Sequence, residues 1–163
     1  MKRLVLIFAL IFNMTFESVA QDSFKDISYE LIPQQFMDGS FYIPIMTGEM
    51  VTEVADIDPV NTCIYTTYIH LSHLMMGTRI EEGAIEKNLS MIEEYLGRDN
   101  TIYGLALISK AREEEKDDLE VLLKAAEIIG ETAGKDSWEY ALVMFHCSDV
   151  TLDINKYGGP SKS

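Results

Sequence analysis

Apolar positions recur at helical spacing over most of the chain beyond residue 58. Val60, Ile64, Tyr68, Leu71 and Met75 step by four, four, three and four, which lays one apolar stripe along a helix. Asp58 suits the N-cap, Pro59 takes a first position where its missing N–H is harmless, and Gly77 stands where a left-handed residue ends a helix. Thr78 to Glu81 reads as a capping box for a second helix carrying Ile85, Leu89, Ile92 and Leu96 and ending at Gly97. Asp99 or Asn100 opens a third with Ile102, Leu105, Leu107, Ile108 and Ala111. After the charged stretch Arg112 to Asp118, the pair Asp117 and Asp118 caps a fourth with Leu119, Leu122, Leu123, Ala126 and Ile129. One long bent helix over 101–130 fits the same pattern. Asp136 to Glu139 is another acidic box, opening a last helix with Leu142 and Phe145. The expectation is an all-α fold, a compact bundle of four to five helices with an irregular N-terminal arm.

Residues 21–57 lack this period. Pro33, Gly39, Pro44 and Gly48 interrupt short apolar clusters, and Phe41 to Ile43 with Met50 and Val51 could flank a hairpin, with Pro44 confining it to an edge. A short helix capped by Thr47 and running through Ala55 is the preferred reading. At the start, Lys2 and Arg3 precede the apolar run Leu4 to Phe12 and the small residues Ser18 and Ala20. That is the layout of a secretory signal peptide, cleaved before Gln21, whose apolar run is too short to span a bilayer. The organisation expected is therefore a signal over 1–20, an irregular segment over 21–57, a helical domain over 58–155 and a flexible tail over 156–163, where Gly158, Gly159 and Pro160 lie.

Charge narrows the partners. The chain of 163 residues has 13 Lys and Arg against 27 Asp and Glu, a formal charge of −14. Removal of residues 1–20 takes away Lys2, Arg3 and Glu17, which leaves 11 against 26 and a charge of −15. Such a surface is unsuited to nucleic-acid phosphates or anionic lipid, and an apolar fraction of 47% is too high for a disordered acidic tail. Export into an oxidising compartment favours a bridge between the two cysteines, Cys63 and Cys147. Closing that loop would contribute at most about 4.6 kcal/mol by chain entropy.

Candidate chemistry is sparse. His70, His73 and His146 can be drawn together as a metal site if the cysteines join their helices, but three or four converging ligands and a signature such as HExxH or CxxC are missing, so no metal and no cofactor is expected. Glu81–Glu82, Glu93–Glu94 and Glu113–Glu114–Glu115 are neighbours that point about 100° apart on a helix, a solvated face and not a hydrolytic pair. No phosphate loop or nucleophile elbow occurs, and Cys147 beside His146 does not make a catalytic pair. Asn88-Leu89-Ser90 matches a glycosylation sequon inside a helical pattern and reads as chance.

Thr47–Gly48 opening a segment, Cys63 to Ile69 opening a helix, a helix ending Glu94-Tyr95-Leu96, and Ala106–Leu107 in the next form a layout over residues 45–112. This layout resembles the small helical periplasmic immunity proteins that protect bacteria against type VI secretion amidases. The resemblance implies a helical domain that binds a peptidoglycan-cutting effector and blocks its active site. This chain lacks the family's further Cys after the Thr-Gly segment and its small residue where His70 to His73 stand, and it extends past the usual end, so no contact residue of the family transfers.

The expectation is a periplasmic or secreted binding protein without enzymatic activity, whose partner is a protein, most sharply a basic peptidoglycan hydrolase. Neither nucleic acid nor stable membrane insertion after signal cleavage is expected, and homodimer formation stays open. Glu113, Glu114, Glu115, Asp117 and Asp118 would steer that partner, and Phe41 and Tyr42, within the segment 41–46, would supply apolar anchors. An envelope accessory module that holds an apolar ligand, or a metal-dependent enzyme, are the alternatives.

Overall fold

A computed structural model describes residues 31–47, 58–113 and 118–157, the last five of these by their backbone alone. These residues are helical without strands. Helix α1 covers 31–37 and α2 covers 42–47, followed by α3 (Pro59–Met76), α4 (Ala84–Tyr95), α5 (Thr101–Ala111), α6 (Leu119–Thr132) and α7 (Trp138–Tyr157). No helix among the described residues is long and apolar enough to cross a membrane. The signal segment, residues 48–55 of the expected Thr47-capped helix and residues 158–163 of the tail lie outside the described residues; Thr47 sits inside α2 and opens no helix, and residues 156 and 157, expected in the tail, belong to α7.

Local chemistry sets most boundaries. The Asp58 carboxylate accepts from the Asn61 N–H at 3.2 Å, Pro59 is the first helical residue, and Gly77 turns the chain out of α3 at φ 63°. Asn100 does two things at once: its Oδ1 accepts from the Tyr103 N–H at 2.9 Å, and its Nδ2 donates to the Gly97 carbonyl at 2.6 Å, binding the end of α4 to the start of α5. Asp118 caps α6 by accepting from Val121 N–H at 3.1 Å, so residues 101–130 form two helices and not one bent helix. Ser137 accepts from the Tyr140 N–H at 3.2 Å and opens α7.

The expected capping box at Thr78 is not used. Thr78 follows the left-handed Gly77, so its N–H is already taken by the His73 carbonyl at 2.9 Å, and its hydroxyl donates to the same carbonyl at 3.2 Å. It closes α3, while α4 begins at Ala84 after Gly83 at φ 76°. The irregular arm is also corrected. Residues 31–37 and 42–47 are helical, joined by a turn in which Gly39 has φ 77°, and Ile32, Phe36 and Ile45 are buried. Pro44 falls in the first turn of α2, where a missing N–H removes no intrahelical bond, so neither a hairpin nor a break results.

Helix α5 is central. It packs on α3, α4, α6 and α7, and Tyr103 through Ser109 are all buried, which is why its sequence is apolar on every side. Gly104 lets α6 come close: a Cβ at that position would lie 2.6 Å from Ile129 Cγ1. Cross-links between helices fix the directions. Lys110 near the end of α5 meets Glu86 at the start of α4, Tyr103 donates to Glu93 at 3.1 Å, and Thr101 pairs with Thr132 at 3.0 Å. Helices α4, α5 and α6 therefore alternate, and because Leu74 near the end of α3 shares a cleft with Ser109 and Arg112, and Arg112 after α5 pairs with Asp149 late in α7, helices α3, α5 and α7 run the same way.

This direction separates the two cysteines. Cys63 and Cys147 are free thiols, each buried, and the expected bridge is absent. The Tyr68 and Trp138 rings, with centroids 6.2 Å apart, set the register of α3 against α7. Cys63 lies five residues before Tyr68 and Cys147 nine after Trp138, so in parallel helices these offsets add to roughly 20 Å along the axes. A disulfide needs Cα atoms within about 7 Å.

Candidate binding surface

The segment expected to supply apolar anchors is ordered by its own buried side. Phe36, Tyr68 and Trp138 form an aromatic cluster in the core, with Phe36 centroids 5.6 Å and 6.0 Å from the other two rings. Phe41 leans on Phe36 at 5.2 Å and is half-buried, so it is a support and not an anchor. Pro44 and Ile45 turn inward from α2, which leaves Tyr42 at 60% exposure, Ile43 at 42% and Met46 at 45% on its outer side. Met37 at the end of α1 adds a fourth exposed apolar side chain. Large apolar groups held outward on a helix pinned from beneath are the kind of feature that protein contacts use. Reading the sequence singled out Tyr42; Ile43 and Met46 within the same segment become distinct only once Ile45 is known to face the core.

The acidic stretch expected to steer a partner divides. Glu113 is tied to Lys110 at 2.7 Å, and Asp118 spends its carboxylate on the α6 cap. Lys110 also bonds Glu86, and this pairing holds the Glu86 carboxyl below its usual range while the two carboxylates hold the Lys110 ammonium above its own. Both Glu113 and Asp118 thus have structural partners. Glu114, Glu115 and Asp117 lie outside the described residues.

Two of the three histidines, His70 and His146, serve the interior. Burial, with the neighbouring His73 adding to it, pushes His70 down to about 4. Burial pushes His146 down to about 4 as well, with the Arg112 guanidinium acting in the same sense and Asp149 opposing it. Both ring nitrogens of His146 are buried without a hydrogen-bond partner among the described residues. His73 places Nδ1 2.8 Å from the Thr78 hydroxyl. Among the described residues no three His, Cys, Asp or Glu side chains are grouped so as to hold a metal ion.

Other polar side chains singled out in the sequence also have internal duties. Glu93 accepts from Arg98 at 2.7 Å and from the Tyr103 hydroxyl, and Asn88 of the sequon is buried, donating to Thr67 at 2.9 Å across α3 and α4. A glycan could not be carried there. Arg112, the first residue of the charged run, is half-buried and pairs with Asp149 of α7 at 2.9 Å. Comparison of the chain with protein-family models, curated proteins and solved structures finds no match, so the residues themselves carry the functional reading.

Proposed function

We propose that the chain is an exported protein-binding module, of the kind that inhibits a cell-wall-degrading effector, in which α3 to α7 form the bundle and α1 with α2 form the arm that carries the contact. The observation that supports this most directly is the outer side of α2, where Tyr42, Ile43 and Met46 stay exposed while Ile45 is buried and Ile32 and Phe36 hold the arm in the core. A net charge of −14 favours a basic partner, because opposite fields speed encounter and suppress acidic competitors. The reading places the protein in the periplasm or outside the cell, acting by occlusion and not by chemistry of its own.

The test is capture of a basic peptidoglycan hydrolase by the protein in its native organism, followed by titration of the purified pair. Tyr42→Asp puts a charge where an apolar anchor would insert and should weaken binding by about 30-fold or more, with the far-ultraviolet circular dichroism unchanged. Raising the salt concentration should slow association more than dissociation. Tight binding that is indifferent to Tyr42→Asp, Ile43→Asp and Met46→Asp would remove α2 from the interface, and a purified hydrolase that the protein leaves fully active would remove the inhibitory reading.

A further inference from the structure

A cleft of about 380 Å³ opens between the α3–α4 connection and the last turn of α5, well away from α2. Its wall is apolar where Leu74, Ile80 and Ile85 face it, and its rim is charged, with Arg79 and Glu82 three residues apart on the connection. Both rim residues are exposed, and neither has an ion pair among the described residues. Arg112 and Glu113, the remaining charges lining the cleft, are committed to Asp149 and Lys110.

Ser109 also lines the cleft, and its environment is unlike that of the other buried hydroxyls. Thr67 and Ser72 are buried on α3, and each donates to the carbonyl four residues earlier, at 2.8 and 2.7 Å. Ser109 is only 2% exposed, yet its Oγ has no partner among the described residues. A buried hydroxyl left unpaired is unfavourable, and alanine at this place would remove the penalty. Beside a cleft, such an unpaired hydroxyl is a place where a group arriving from outside can supply the missing partner.

The shape and charge of the cleft limit that group. The volume sits at the lower end of the range for small-molecule sites, so the ligand is small. Arg79 and Glu82, without ion pairs among the described residues, suit a molecule with both charges; the carboxylates of Glu82 and Glu113 repel a polyanion, and Arg79 repels a simple amine. The Leu74, Ile80 and Ile85 wall takes a branched apolar body. We propose that this cleft binds a free α-amino acid with an apolar side chain, its carboxylate on Arg79, its ammonium on Glu82, and Ser109 hydrogen-bonded to it from the floor.

The experiment is isothermal titration of the purified full-length chain with three probes, L-leucine, 4-methylpentanoate and 3-methylbutylamine, which carry both charges, the acid alone and the amine alone. Leucine should bind, and each single-charge analogue should bind at least about tenfold more weakly, the loss of one charge-assisted hydrogen bond. Arg79→Ala should weaken leucine by a similar factor while the amine, relieved of repulsion, binds no more weakly than before; Glu82→Gln should weaken leucine and likewise not weaken the acid. Ser109→Ala should also weaken leucine while unfolding at the same or a higher denaturant concentration, which separates a lost contact from a lost fold. No heat with leucine at 10-millimolar order, where a working site would be saturated, overturns the proposal. Equal binding of leucine and 4-methylpentanoate also overturns it, as does leucine binding that ignores all three substitutions.

Discussion

Gly104→Ala tests whether close approach of α5 and α6 governs the packing of the whole domain. The added methyl would lie 2.6 Å from Ile129 Cγ1, 3.2 Å from its Cδ1 and 3.4 Å from the Ala125 carbonyl oxygen. Favourable carbon contacts are at about 3.5–4.0 Å, so α5 and Ile129 must separate by roughly 1 Å. Ile129 is fully buried and cannot swing into solvent, and Ala125 contributes backbone. Overpacking of this kind costs about 1–3 kcal/mol, against a gain of about 1 kcal/mol from replacing glycine in a helix. The net expectation is a loss of about 1 kcal/mol. Gly130→Ala in α6 is the internal control, because it gains the same propensity while its methyl meets the Tyr140 ring edge at 3.2 Å and the flexible Lys135 side chain at 3.5 Å. Urea unfolding followed by circular dichroism should place the Gly104→Ala midpoint below the parent and below Gly130→Ala. Trimming the obstruction should reverse the sign: in an Ile129→Ala background, itself less stable by about 2–5 kcal/mol, Gly104→Ala should stabilise. A Gly104→Ala protein at least as stable as the parent, or an effect equal in both backgrounds, would refute the close-approach argument.

Three further outcomes follow from buried polar groups. His70 and His146 are held near 4 when folded, below their unfolded value of about 6.5, so the unfolded chain takes up more protons between those limits. Stability from neutral histidine is thus complete above about pH 6.5 and lost as pH falls towards 4, by roughly 3 kcal/mol per histidine, and His146→Leu should flatten unfolding free energy measured across that window. The same substitution should leave the protein no less stable at pH 7, since the imidazole nitrogens it removes have no partner; a large loss there would show a hidden hydrogen bond. Thiol titration should count two reactive cysteines in denaturant and almost none in the folded protein, where burial raises both thiols, and failure to detect two after unfolding would restore the bridge.

What could be read from the sequence was the set of boundaries where a side chain and the backbone ask for the same thing. Asp58, Pro59 and Gly77 mark α3 by three independent mechanisms, and Asn100 and Asp118 each place an acceptor where a helix has free N–H groups. Thr78 misled because a hydroxyl three residues before a glutamate has the same spelling whether it opens a helix or closes the previous one; only the left-handed Gly77 decides. Helices α1 and α2 were illegible for a different reason. Their described parts, 31–37 and 42–47, are too short to show a stripe by themselves, and Ile32 and Phe36 are buried in a core built by later residues. The surroundings of the candidate contacts were illegible for a related reason. Phe41 and Tyr42 are adjacent aromatics with one facing the core and one facing solvent, and composition cannot rank them. Charge gave the sign of Glu113 and Asp118 but not their partners, which come from Lys110 and from the free N–H groups of α6.

The two proposed surfaces stand at opposite ends of α5, and this arrangement makes a claim about coupling. The aromatic cluster that holds α1 includes Trp138 at the start of α7, and the Thr101–Thr132 pair places that end of the fold beside the start of α5. Ser109 and the cleft lie at the other end, so the sites are separated by much of a helix of 11 residues, roughly 16 Å. Effects of substitutions separated by more than about 10 Å with no shared partner usually add. Tyr42→Asp should therefore leave leucine binding unchanged, and Arg79→Ala should leave the protein partner's affinity unchanged, both read by titration. Leucine would still raise the unfolding midpoint, because any ligand of the folded state does so by mass action. A partner affinity that shifts with leucine would refute independence, and α5, packed on all sides and unable to yield at Gly104, would then be the rigid element through which the two ends communicate.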